Sequence, residues 1–135
     1  MILSNDIEET ESLRLQFKKR GGLLPVVVQD YFSQQILMVG YANEQALRQS
    51  LEKKMATFWS TSRNSLWTKG ETSGDYLKLH EVWVDCDQDA LVYKVEMVGD
   101  GVCHTQDANG QTRTSCFYRR IDVDTHTLTF QNSQT

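Results

Sequence analysis

The apolar positions of the chain change period several times, and each change marks an element. Leu24–Gln29 is a nearly continuous apolar run bounded by Gly22 and Asp30, the pattern of a buried strand. Gln35–Tyr41 is another, and the polar Asp30–Gln34 stretch between them predicts a hairpin. Asn43–Lys54 moves to the helical period. Asn43 suits the N-cap, Glu44 the first turn, and Lys53 and Lys54 the negative end of the dipole, with Ala46, Leu47 and Leu51 on one face. Ala56–Ser60 and Leu66–Thr68 read as short strands around the turn-rich Thr61–Ser65.

Tyr76–Asp85 is strand-like, but its apolar phase slips. Leu77 and Leu79 lie on one parity and Val82 and Val84 on the other, which predicts a β-bulge near His80 and Glu81. Leu91–Met97 is a further strand, Gly99–Ser115 a polar loop, and Cys116–Ile121 and Thr125–Phe130 two last strands. Residues 1–22 form a polar lead-in ending at Gly21-Gly22. Its Asn5–Lys19 stretch reads equally as a helix or, from the alternation of Leu13, Leu15 and Phe17, as a strand. Several short strands and one firm helix predict an α+β, mostly β fold of short mixed or antiparallel strands with one or two helices.

A length of 135 residues fits a single domain, 1–135, with 1–21 as a variable lead-in. A net charge of −4 and a pI near 5.3 give no global field for polyanions, so no nucleic-acid partner is expected and any phosphate site must be local. The longest apolar run, Leu23–Val28, is far short of the ~20 residues of a membrane span. The N-terminus is acidic where a signal peptide is basic and then apolar, so a cytoplasmic, reducing compartment is expected. Three cysteines, Cys86, Cys103 and Cys116, cannot all pair within one chain.

Three groups of residues carry candidate chemistry. Asp85-Cys86-Asp87-Gln88-Asp89 sets three carboxylates at alternate positions. Alone it reads as a solvated acidic turn. A calcium loop of the EF-hand type fails, because Ala90 stands where glycine is needed and Leu91–Val95 is strand-like. Magnesium needs only one or two direct carboxylates with water and substrate oxygens. Fully extended, Asp85 and Asp89 would lie ~13 Å apart, so the segment must curl if all three serve one ion. An extended chain would put the acids and Cys86 on opposite sides.

The cysteines form the second group. Intervals of 16 and 12 residues, with no C-x-x-C, match no zinc-finger spacing. Three thiolates would suit zinc and leave a fourth position for water, whose pKa the ion would lower towards neutrality. His104, beside Cys103, reads as a ligand, a proton shuttle or a surface residue, whereas His80 and His126 sit in strand patterns without acidic or cysteine neighbours and read as structural or exposed. The third group is Thr68-Lys69-Gly70-Glu71-Thr72-Ser73-Gly74, preceded by Trp59, Arg63 and Trp67. Glycines, hydroxyls and Lys69 can hold phosphate, and tryptophan can stack on a base, although a polar turn between strands explains the segment as well. It is not a P-loop, since Lys69 precedes the glycine.

The blocks Trp67–Gly74, Asp85–Asp89, Cys103-His104-Thr105 and Ser115–Arg119, in that order, resemble phosphoribosyl-AMP cyclohydrolases, as do Leu24–Asp30 and Met38–Glu44 upstream. The resemblance runs from about Gly22 to Ile121. It implies hydrolytic opening of the adenine ring of phosphoribosyl-AMP at N1–C6 in histidine biosynthesis. It also implies one zinc per subunit on Cys86, Cys103 and Cys116, one magnesium per subunit on Asp85, Asp87 and Asp89, and an intertwined homodimer with zinc ligands shared between subunits. On this reading Arg63, Trp67, Lys69, Thr72 and Ser73 contact the substrate and His104 transfers protons. The loop His104–Ser115 looks long for the family, and the chain leaves no room for the fused pyrophosphatase domain of some relatives, so the monofunctional form is expected. Two other readings compete. A zinc deaminase would carry H-x-E and P-C-x-x-C, but Pro25 is the sole proline and C-x-x-C is absent. A non-enzymatic zinc-stabilised module would need a fourth protein ligand, for which His104 is the candidate.

Overall fold

A computed structural model of the chain describes residues 7–131. Its centre is a mixed four-stranded sheet of β1 (Leu24–Asp30), β2 (Ile36–Ala42), β5 (Leu77–Val84) and β6 (Leu91–Met97), in the order β2-β1-β6-β5. β1 pairs antiparallel with β2 and parallel with β6, and β5 runs antiparallel to β6. Two antiparallel hairpins stand beside it: β3 (Thr57–Ser60) with β4 (Ser65–Thr68), and β7 (Arg119–Ile121) with β8 (Leu128–Phe130). This is the expected mostly β architecture. Among the described residues no helix is long and apolar enough to cross a membrane.

The strands alternate as half-buried strands must. Leu24, Val26 and Val28 of β1 and Leu91, Tyr93 and Val95 of β6 face the core, where Phe58 and Leu37 join them. The phase slip of β5 is a bulge as predicted: Leu79 pairs with Val95 and Glu81 with Lys94, which leaves His80 as the extra residue. His80 does have an acidic neighbour, Glu96 across the ladder at 2.8 Å, and its ring stacks on Tyr31. His126 lies in the Asp122–Thr127 turn rather than in a strand, with φ of 63°.

The helix α1 (Glu44–Lys53) begins where its sequence demands: the Asn43 side chain accepts from the Ala46 amide at 2.8 Å. Its buried face is Ala46, Leu47 and Ser50, while Leu51 is half exposed. Ser50 replaces Leu51 because its hydroxyl bonds the Ala46 carbonyl and receives the Thr57 amide at 2.8 Å, which ties α1 to β3. In the lead-in, Asn5 and Asp6 lie outside the described residues; the stretch from Leu13 to Gln16 has no regular structure and ends in a 3-10 turn, Lys18–Arg20. Leu15 and Phe17 pack on the core but Leu13 does not. The last strands are shorter than expected. Ser115 and Cys116 leave the ladder because their hydroxyl and amide bond the β2 carbonyls of Ile36 and Leu37 at 2.7 and 2.8 Å.

Candidate active site

Asp85 directly follows β5, and Leu91 opens β6. The acidic segment between them is a tight turn, not an extended chain. The Gln88 amide bonds the Asp85 carbonyl, the Asp85 carboxylate accepts from the amides of Asp89 and Ala90 at 2.9 and 3.1 Å, and Gln88 takes a positive φ of 58°. Curling, rather than strand alternation, brings the acids together: carboxylate oxygens of Asp85, Asp87 and Asp89 lie within 4.8 Å of one another. Loss of hydration raises the Asp85 pKa, whereas Lys19 holds the buried Asp89 well below the usual carboxylate range. An all-oxygen, all-carboxylate set of this kind fits magnesium.

The long loop is ordered by pairing of its two ends. Val102 and Cys103 donate to the carbonyls of Thr114 and Arg113, Arg113 donates back to Thr105, and Gln106 bridges Thr112. Gly101 is required here, since a Cβ would fall 2.5 Å from the Arg113 carbonyl oxygen. The pairing brings Cys103 and Cys116 close enough for the two thiols to influence each other's ionisation. Burial opposes the Cys103 thiolate, but the Thr105 hydroxyl at 2.9 Å, the Thr105 amide, Cys116 and the Arg113 guanidinium together hold its pKa below the ordinary value. Cys116 is open to solvent on one side, yet loss of hydration on the other, and then Cys103, push it up to about 11 against the pull of Lys69.

Cys86 is exposed on the acidic turn and does not converge with the other two thiols within the chain. His104 is exposed next to Cys103; it does not join the pair as a third converging ligand, and among the described residues its side chain makes no hydrogen bond or ion pair. A closed zinc site within one chain, the requirement of the non-enzymatic module, is therefore not assembled among the described residues.

Arg63 and Trp67 share a cleft of about 240 Å³ with Tyr41, Phe58 and Trp59. Gly40 also lines it, and a Cβ there would strike the Phe58 ring at 2.8 Å. The Lys69 ammonium lies 5.8 Å from the centroid of the Trp67 ring and close enough to Cys116 to favour its thiolate, so the cleft and the thiol pair are neighbours. Thr72 and Ser73 stand exposed on the turn beyond Lys69 and do not line the cleft. Three residues that the sequence did not single out also reach the site. Lys19 and Arg20 pair with Asp87 and Asp89, and the buried Gln88 binds the lead-in through the amides of Arg14 and Gln16. The only hint was the basic run Lys18-Lys19-Arg20 in an acidic chain.

The model of the family described as "Phosphoribosyl-AMP cyclohydrolase" matches residues 38–118, well over half of the chain. The chain belongs to this family. A phosphoribosyl-AMP cyclohydrolase of Desulfotalea psychrophila is 47% identical over 81% of this chain and 82% of its own length. One of Solibacter usitatus is 47% identical over 82% of this chain and 83% of its own length. A histidine biosynthesis bifunctional protein of Aquifex aeolicus is 46% identical over 82% of this chain, but the match covers 50% of that longer protein. Members of the phosphoribosyl-AMP cyclohydrolase family are hydrolases, and this chain is one of them.

Proposed function

We propose that the chain opens the adenine ring of phosphoribosyl-AMP by hydrolysis of the N1–C6 bond, within histidine biosynthesis in the cytoplasm, as a homodimer of single-domain subunits. The observation that carries this reading is the clustering of Cys103, Cys116 and Lys69 next to the cleft of Arg63 and Trp67, in a chain of this family. Aromatic adenine resists neutral water, so the reaction needs an activated nucleophile and a positioned base ring. Cys103, Cys116 and a Cys86 would hold zinc, which when bound would lower the pKa of a water. Asp85, Asp87 and Asp89 would hold magnesium, which when bound would supply positive charge for the phosphates.

The chain's own residues do the rest. The paired loop ends hold Cys103 and Cys116 together, and the Thr105 hydroxyl stabilises the Cys103 thiolate. Trp67 offers a face for the purine, Arg63 and Lys69 offer charge to the phosphates, and Thr72 and Ser73 offer hydroxyls from the adjoining turn. His104, free at its edge of the site, moves the proton between water and ring nitrogen.

Two features support the homodimer. Cys86 is exposed and stands apart from the other thiols, as a ligand for a neighbouring subunit would. In addition, the outer face of the sheet carries the row Val39, Val27, Val92 and Trp83 in cross-strand register, with Tyr41 beside Pro25. The β7–β8 hairpin adds exposed Ile121, Leu128 and Phe130. Apolar surface of this extent suits a second copy. The test is the ultraviolet absorbance change on ring opening of phosphoribosyl-AMP, with zinc analysis alongside. Turnover that a zinc chelator abolishes and zinc restores is expected; turnover indifferent to the chelator would refute the zinc chemistry.

A further inference from the structure

We propose that Lys19 is a tethered counter-cation that competes with a divalent cation for Asp87 and Asp89 and thereby sets the cation affinity of the acidic turn. The inference rests on the magnesium reading of that turn. The Lys19 ammonium lies 3.0 Å from Asp87 Oδ2 and 2.9 Å from Asp89 Oδ2, and the Arg20 guanidinium lies 3.0 Å from the same Asp89 oxygen. These carboxylates belong to the converging set that would hold the ion. Magnesium requires close, nearly octahedral oxygen contacts at ~2.0–2.1 Å, and an ammonium on these carboxylates occupies lone pairs and repels the incoming charge.

Lys19 is not a free surface side chain that wandered onto an acid. Its turn is fastened to the acidic turn through Gln88, whose side-chain oxygen accepts the Arg14 amide at 2.7 Å and whose backbone carbonyl accepts the Gln16 amide at 2.8 Å. Phe17 packs against the core immediately before the basic run. Gly21 and Gly22, both at positive φ, then turn the chain into β1. The ammonium is thus delivered to the carboxylates by ordered backbone on both sides.

Displacement is also built in. The side chains of Lys19 and Arg20 are 51% and 49% exposed, so they can swing into water without opening the core, whereas Asp89 at 3% cannot reach solvent and must keep a positive partner. The acids are therefore charged and compensated before an ion arrives, and the ion has to outbid a lysine that stays close by.

The experiment is titration of the purified full chain with Mn²⁺, an oxygen-preferring probe of magnesium sites, with free ion followed by electron paramagnetic resonance. Five proteins are compared: the natural chain, Lys19→Gln, Lys19→Arg, Arg20→Gln and Asp87→Asn. Lys19→Gln should bind Mn²⁺ roughly three- to tenfold more tightly, the range that loss of a half-exposed ion pair allows. Lys19→Arg, which keeps the charge, should match the natural chain, and Arg20→Gln should move affinity in the same direction as Lys19→Gln by less. If Asp87→Asn binds as well as the natural chain, the magnesium reading fails and the competition falls with it. If Asp87→Asn loses binding while Lys19→Gln binds no tighter, the site stands and the competition is overturned.

Discussion

The thiols of Cys103 and Cys116 are close enough to act on each other, and their pKa values are driven apart. Despite its burial, Cys103 ionises below the ordinary thiol value because Thr105, Cys116 and Arg113 surround the thiolate; Cys116, losing hydration beside it, ionises near 11. Thiolate absorbance of the metal-free protein should therefore rise in two separated steps rather than one. Thr105→Val, which removes the hydroxyl, should move the first step upwards. The sign for metal follows: zinc takes thiolates, so binding releases protons and the apparent zinc affinity should climb as pH rises from 6 to 9 by ~10-fold or more. A flat affinity across that range would show that these thiols are not the ligands.

Asp87 separates the two metal assignments. It is half-buried and converges with Asp85 and Asp89, but not with the thiols. Asp87→Asn should keep the zinc content of the natural protein and require about tenfold or more added magnesium for the same turnover. Falling zinc content with unchanged magnesium dependence would reverse the assignment.

Gly70 holds the turn that presents Lys69. Its φ is 89°, and a Cβ there would press on the backbone of Asp75 and lie 2.5 Å from the Tyr76 amide nitrogen. Gly70→Ala should therefore lower stability by about 1–3 kcal/mol and raise KM more than it lowers kcat, since it displaces the lysine proposed to contact the substrate rather than the reacting groups. Thermal melts and steady-state kinetics on one preparation read both. An unchanged melting temperature would mean that the turn relaxes freely.

Periodicity revealed what local sequence controls. The slip between Leu79 and Val82 marked the bulge at His80, and Asn43 marked the start of α1. It missed what depends on partners far along the chain. The burial of Ser50 in place of Leu51 comes from a hydroxyl meeting the Thr57 amide. The acidic residues meet through a turn closed by backbone hydrogen bonds, which alternation cannot express. Lys19 lies 68 positions before Asp87, so neither residue's neighbours disclose the pair. The thiols, acids and cleft residues were visible as motifs, but only the fold shows that Cys103 and Cys116 are neighbours and that Cys86 is not with them.

His104 follows a thiol ligand candidate and is exposed beside the site. As a proton carrier it should be dispensable for metal: His104→Ala should retain zinc and lose about 10²–10⁴-fold in kcat, the usual yield of general acid–base catalysis. His104→Gln should not restore the rate. Loss of zinc would make it a ligand, and an unchanged rate would remove it from the mechanism.

Sharing of the zinc site between subunits makes the sharpest prediction. Cys103 and Cys116 are joined by the paired ends of one loop, whereas Cys86 is carried by the β5–β6 turn and stays apart from them in its own chain. If a two-fold axis brings the Cys86 of one subunit to the thiol pair of the other, each dimer holds two identical composite sites. Cys86→Ala and Cys103→Ala proteins should each be inactive alone, because every site in either homodimer lacks one thiol. After the chains are allowed to exchange, the mixed dimer has one site lacking both residues and one site with all three. Activity should then return to about half that of the natural protein per mixed dimer, with one zinc regained. Verified mixed dimers that remain inactive would place all three ligands within one chain, against the separation of Cys86 from its two partners.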